Sequence, residues 1–162
     1  MNKYDACKIL SISGLITKEI VKTARNEAAK KYHPDMGGSV EMMQMVNEAY
    51  ETLIILPEET IEIKEEQMKY GEMLNDAINA ILHLSEIEIE ICGSWIWVGG
   101  KTKQYKEVLK AADYKFAGKK KKWYFRPAGY KSYNRGKWSM GQIRNHYGSK
   151  DVETKPLAKL AS

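Results

Sequence analysis

The sequence predicts an α+β protein with a helical N-terminal hairpin, a connecting helix and a small C-terminal ββαβ module. Three observations predict it. Apolar residues recur at helical spacing on both sides of a His-Pro break between Thr17 and Leu53, and do so again from Ile63 to Leu84. The period then drops to two at Ile87, Ile89 and Ile91. These changes divide the chain into residues 1–56, 57–85 and 86–148, with a flexible tail over 149–162.

The hairpin is read from its start and stop signals. Thr17 stands as an N-cap and Glu19 places a carboxylate in the first helical turn. Val21, Ala24 and Ala28 then share one face with Tyr32 at its edge, and Lys18, Lys22 and Arg25 line the neighbouring face. Pro34 drives His33 out of helical geometry, so this helix stops at about Tyr32, and Gly37 and Gly38 extend the loop. Ser39 caps a second helix in which Met42, Val46, Ala49 and Leu53 recur on one face, with Met43 and Tyr50 beside them. Two helices on a short loop fold back as an antiparallel pair.

A basic helix, His33-Pro34-Asp35 in a loop, and Asn47-Glu48-Ala49-Tyr50-Glu51-Thr52-Leu53 at the end of the next helix together resemble the J domain of DnaJ-family co-chaperones. The likeness covers about the first third of the chain. It departs from the usual pattern at Ser11, where a glycine is common, and at Arg25, where a tyrosine is common. The short loop with Gly37-Gly38 looks like that of viral and phage J domains. The resemblance implies that the hairpin docks on a DnaK-type heat-shock ATPase and stimulates its ATP hydrolysis. His33, Pro34 and Asp35 would make the contact, with Lys18, Lys22, Arg25, Lys30 and Lys31 as a basic surface steering towards an acidic lobe. Asp35 offers a carboxylate to an arginine, and His33 is expected to present both ring nitrogens. The plainer reading of the same residues is a helix stop followed by a solvated lysine face.

Pro57 opens a helix whose first turn carries Glu58, Glu59 and Glu62 and which runs to about Ser85. Its stripe of Ile63, Tyr70, Leu74, Ala77, Ile78, Ile81 and Leu84, interrupted by Gln67, suits either packing on a flanking domain, the reading preferred here, or a coiled-coil dimer. Beyond it, residues 86–91 and Trp95-Ile96-Trp97-Val98 read as strands joined at Gly93-Ser94. A short helix starts near Thr102, a turn passes through Gly118, and Trp123-Tyr124-Phe125 is a further strand. A last helix covers Met140 to Tyr147 and ends at Gly148.

Charge separates along the chain. Residues 1–100 hold nine Lys and Arg against 17 Asp and Glu, whereas residues 101–150 hold 15 against two. Such asymmetry points to an anionic partner for the second half, DNA or RNA foremost. Lys119, Lys120, Lys121 and Lys122 run directly into Trp123, Tyr124 and Arg126, with Arg135, Lys137 and Arg144 further on. Cations for phosphates interleaved with flat rings for stacking are what a nucleic-acid surface needs. The competing reading makes the tryptophans core and the lysine run a solvated turn. The Trp-x-Trp, Gly-x-Thr, Leu-Lys-Ala-Ala and Lys-Lys-x-Trp-Tyr-x-Arg patterns resemble a small module found beside J domains in phage and other mobile-element proteins.

Other classes lose support. At 162 residues and 43 % hydrophobic content the chain is long enough for one or two modest cores. No stretch reaches the ~18 apolar residues of a membrane span and no apolar leader is present, so the expected compartment is the cytoplasm. Cys7 and Cys92 form neither a disulfide framework nor paired Cys-x-x-Cys zinc motifs, and His83 has no neighbouring ligands, so no metal is expected. Without a nucleophile-base pair or a phosphate-cradling glycine loop, the chain reads as a binding protein, with no cofactor, and not as an enzyme. Its expected role is a co-chaperone targeted by a basic module; the alternative is a nucleic-acid-binding protein of a phage or mobile element that uses the J-like hairpin as a scaffold or host contact.

Overall fold

The structure, a computed structural model, describes residues 1–126 and 138–154 and divides into two compact units, Met1–Asn75 and Asp76–Ser162. It has the expected α+β class, helical at the N-terminus with a sheet module after it.

In the first unit α1 spans Lys3–Leu10, with Asn2 as a cap whose side chain accepts the Asp5 N–H. It closes on Ser11 in the left-handed region, φ 55° and ψ 50°. That geometry costs a residue with a Cβ about 1 kcal/mol or more, which explains why glycine is common at this place in the related pattern. Here the serine hydroxyl gives something back by donating to the Met68 carbonyl at 2.7 Å. After the short strand β1, Gly14–Ile16, helix α2 spans Lys18–Lys31 and starts at Thr17, whose hydroxyl accepts the Ile20 N–H. Helix α3, Val40–Ile54, starts at Ser39, which accepts the Met42 N–H at 3.0 Å. Both caps stand where the sequence puts them. Helices α1 and α2 pack on α3. The core takes Ala6, Ile9 and Leu10 from α1, Val21 and Ala28 from α2, and Met42, Met45, Val46, Ala49 and Leu53 from α3.

The helix expected from Pro57 to about Ser85 does not form as one element. Residues 59–61 are strand β2, Glu59–Ile61, antiparallel to β1 with Gly14 opposite Ile61 and Leu15 opposite Thr60. A single 3-10 turn, Glu65–Gln67, follows, and helix α4 covers only Tyr70–Ile81. The reason is electrostatic and local. A helix over this stretch would stack Glu62 on Glu58, Glu59, Glu65 and Glu66 at three- and four-residue spacing, which is repulsive. An extended chain separates these charges and buries Ile61 within the first unit. Ser13 fixes the arrangement by accepting the Ile63 N–H at 2.9 Å. The division between the units falls within α4, with Tyr70 and Leu74 buried in the first.

The second unit is built on a five-stranded antiparallel sheet in the order β5-β6-β4-β3-β7. Its elements in chain order are β3 (Ile87–Cys92), β4 (Trp95–Gly100), α5 (Lys106–Ala111), β5 (Lys115–Ala117), β6 (Lys122–Phe125), α6 (Met140–Tyr147) and β7 (Lys150–Val152). The ββαβ expectation therefore lacked β5 and β7. Each has three residues, too few to show an alternation; β5 pairs with β6 across a short turn, and β7 gains its hydrogen bonds from β3, distant in sequence. The tail expected to be flexible from residue 149 instead supplies β7, which pairs Lys150, Asp151 and Val152 with Ile91, Glu90 and Ile89. Residues 155–162 lie outside the described residues. Ile87, Ile89, Ile91, Ile96, Val98, Trp123 and Phe125 form the inner face, and Leu109, Ile78 and Ile81 are buried with them. Tyr114 donates from its hydroxyl to the Ala77 carbonyl at 2.9 Å, and burial pushes that phenol far above its ordinary range.

Candidate functional site

The His33-Pro34-Asp35 loop is the first candidate. Pro34–Met36 makes one turn of 3-10 helix capped by His33, whose φ of −59° and ψ of 140° are the extended geometry that the following proline enforces. His33 Nδ1 accepts the Asp35 N–H at 3.2 Å, and the His33 carbonyl accepts the N–H groups of Met36 and Gly38 at 2.8 and 3.1 Å. The expectation of two ring nitrogens open to a partner is thus corrected. With Nδ1 used inside the loop, the neutral ring carries its proton on Nε2 and offers one donor outward. The side chains of His33 and Asp35 are 55 % and 89 % exposed, so the loop presents both to solvent.

The loop's shape depends on what lies behind it. Gly38 runs so close to Tyr32 that a Cβ would stand 1.8 Å from the Tyr32 carbonyl oxygen, and no other residue fits. Gly71 lies against the Tyr32 hydroxyl, and Asn75 donates from Nδ2 to the Gly37 carbonyl at 3.2 Å. Glu72 forms an ion pair with Lys31, which holds the Glu72 carboxyl below its ordinary range. Sequence reasoning missed these three residues of α4, because it read that helix for its apolar stripe alone.

The basic residues of α2 do not form one surface. Lys18, Lys22 and Arg25 fall within about 60° on the helical wheel, while Lys30 and Lys31 lie about 110° and 150° from the centre of that group. Lys18 and Lys22 are exposed. Arg25 is half-buried, donates to Asn47 Oδ1 at 3.2 Å and lies 6.0 Å from the centre of the Tyr50 ring, so it fastens α2 to α3. Arg25 and Asn47 stand at similar distances along the chain from the loop, and their contact makes the two helices antiparallel.

In the second unit the structure divides the expected nucleic-acid residues. Trp123 is buried on the inner face beside Phe116, at 5.3 Å between ring centres, and is core. Lys119 and Lys121 are exposed in the β5-β6 turn, where Lys121 has a φ of 54°. Lys120, Lys122, Tyr124 and Arg126 are partly exposed and gather with Trp95 and Trp97. Arg144 is engaged by Glu90, which stands opposite Trp97 in the β3-β4 register. Its Nη2 donates to Glu90 Oε2 at 2.9 Å, its Nε bonds the other carboxylate oxygen, and Ser149 adds a third contact. Glu90 is 5 % exposed, and the Arg144 guanidinium holds its carboxyl below the usual range against the opposing effect of burial. Arg135 and Lys137 lie outside the described residues.

Elsewhere the described residues offer little chemistry. Cys7 and Cys92 are buried and unpaired with each other, and burial pushes their thiols up to about 11 and about 12. No group of three or more His, Cys, Asp and Glu is placed to hold a metal, and no helix is long and apolar enough to cross a membrane, among the described residues.

Comparison with known proteins finds likeness over part of the chain. No protein-family model matches the chain, and no solved structure does. The chaperone protein DnaJ of Bacillus mycoides is 41 % identical over 56 residues, 33 % of this chain and 15 % of that protein. The DnaJ of Lactiplantibacillus plantarum is 39 % identical over 56 residues with the same coverage. A tetratricopeptide repeat and J domain-containing co-chaperone of Cryptococcus neoformans is 45 % identical over 49 residues, 30 % of this chain and 9 % of that protein. A third of this chain is therefore similar to J-domain chaperones, and the match spans about 15 % of the length of the DnaJ relatives.

Proposed function

We propose that the first unit acts as a J domain, docking on a DnaK-type heat-shock ATPase and stimulating its ATP hydrolysis, while the second unit selects the target. The observation that carries this reading is the exposed His33-Pro34-Asp35 loop at the end of a basic helix, its geometry set by hydrogen bonds within the loop and by Asn75 behind it. His33 would act as a donor through Nε2, Asp35 as an acceptor for an arginine, and Lys18 and Lys22 as steering charges. None of these groups does chemistry on a substrate, so the protein is read as a partner of an enzyme, working where DnaK works, in the cytoplasm. The test is single-turnover ATP hydrolysis by a bacterial DnaK with the full chain and with His33→Gln. Stimulation by the native chain and its loss in the variant, with unchanged circular dichroism, is the expected result; retained stimulation by the variant would overturn the mechanism.

A second reading concerns the second unit. Its excess of basic residues, 15 against two over residues 101–150, favours a nucleic-acid partner. On that reading the chain belongs to a phage or mobile element and brings the host chaperone, or a simple scaffold, to a nucleic-acid complex. Binding to DNA or RNA that falls steeply with salt is its signature.

A further inference from the structure

The outer face of the sheet is composed of two dissimilar halves. Cross-strand register puts Trp95 and Trp97 of β4 on the same side as Tyr124 and Lys122 of β6 and Lys115 of β5. The same side of β3 and β7 carries Glu88, Glu90 and Asp151. The acidic half is partly occupied, since Arg144 and Ser149 bond Glu90 and the Tyr147 side chain lies against Gly93. The other half combines rings and cations with no acidic residue of its own.

The rings there form one cluster. Trp95 and Tyr124 are stacked with centres 5.6 Å apart and planes 24° from parallel, and both are partly exposed. Trp97, 3 % exposed, is a buried neighbour of each, at 5.8 and 5.4 Å. The cations lie over these rings: the Arg126 guanidinium is 6.0 Å from the Trp95 ring and 5.9 Å from Tyr124, and Lys120 Nζ is 5.8 Å from Trp97. The inner face already supplies the unit's core, so this second aromatic cluster is not needed to close it. Trp97 Nε1 is buried with no hydrogen-bond partner among the described residues.

We propose that the β5-β6-β4 half of this face binds single-stranded nucleic acid, with bases stacking on Trp95 and Tyr124 and phosphates held by Lys115, Lys120, Lys122 and Arg126. The inference rests on the nucleic-acid reading above and specifies its site and ligand form. A cation resting on partly exposed rings, as Arg126 does over Trp95 and Tyr124, marks a surface that a base can take over, with the cation swinging a short way to the adjoining phosphate. A duplex keeps its bases stacked on one another, so it would use the cations and leave the rings idle. Trp95 is the residue on which the distinction turns.

The test uses the full chain and a fluorescein-labelled oligothymidylate of about 12 nucleotides, within the range one such surface covers. Expected are quenching of tryptophan emission and an affinity whose logarithm falls with that of salt at a slope near −3, from four phosphates at about −0.7 each. Trp95→Ala should weaken binding about tenfold, Trp95→Phe should restore most of it, and Lys120→Glu with Lys122→Glu should flatten the slope. Circular dichroism checks that each variant is folded. Equal binding of a duplex with no loss in Trp95→Ala would overturn the stacking site and leave the broader nucleic-acid reading standing. Absence of binding to both single strand and duplex would overturn the two together.

Discussion

Glu72 in the first turn of α4 forms an ion pair with Lys31 in the last turn of α2, two residues before His33. The pair neutralises a charge at the base of the loop and, with Asn75 on the Gly37 carbonyl, ties α4 to it. If the loop docks on an acidic surface, Glu72 opposes that docking. Glu72→Gln should therefore halve, or reduce further, the concentration needed for half-maximal DnaK stimulation at low salt, with the gain fading at high salt. Both side chains are about half exposed, so the stability change should stay below about 1 kcal/mol. A denaturant series beside the ATPase titration separates the two effects.

Gly38 sets the path of the chain out of the loop, because a Cβ there would overlap the Tyr32 carbonyl. Gly38→Ala should cost about 2–3 kcal/mol of stability and abolish ATPase stimulation by displacing His33. Gly37 is different: its φ of 89° strains any other residue, but a Cβ meets nothing within 4 Å. Gly37→Ala should cost about 1 kcal/mol and keep most of the stimulation. Urea unfolding followed by circular dichroism distinguishes the two.

The ion pair of Glu90 and Arg144 gives the second unit an acid-sensitive contact. The folded-state pKa of Glu90 is lowered, so its stabilising effect is fully present above the ordinary carboxylate range and is lost as pH falls through the lowered value. Arg144→Met should remove about 1–3 kcal/mol at neutral pH and move acid unfolding to higher pH. All four tryptophans lie in this unit, so their fluorescence during acid titration reports it without interference from the first. Salt dependence of nucleic-acid binding should not change in this variant, because Arg144 is spent on Glu90.

What the sequence displayed was local. Thr17 and Ser39 each cap a helix through a bond to a residue three positions on, and Met140–Tyr147 ends at Gly148, so these elements were legible. The strand Ile87–Cys92 was legible through its alternation, but Glu90 was not recognisable as buried, since its partner Arg144 is 54 residues away. Strands β2, β5 and β7 depend on cross-strand partners and carry no period of their own. The same limit governed the sites. The His33 loop is contiguous and could be read directly, whereas the ring cluster joins Trp95 and Trp97 to Tyr124 across a register that only pairing establishes. The run of lysines leads into Trp123, which is core, while Tyr124 next to it faces the other side, because successive residues of a strand alternate between faces.

Ser11 allows the cost of left-handed geometry to be measured inside this fold. Its φ of 55° is unfavourable for any residue with a Cβ, and its hydroxyl partly offsets this through the bond to the Met68 carbonyl. Ser11→Ala removes the bond and keeps the strain; Ser11→Gly removes both. The glycine variant should therefore be more stable than the alanine variant by about 1 kcal/mol, with the native serine between them or level with glycine. Denaturant midpoints at constant slope give the comparison. An alanine variant as stable as the glycine one would mean that the α1 terminus relaxes out of the left-handed region once the hydroxyl is gone, and that Met68 holds Ser11 there.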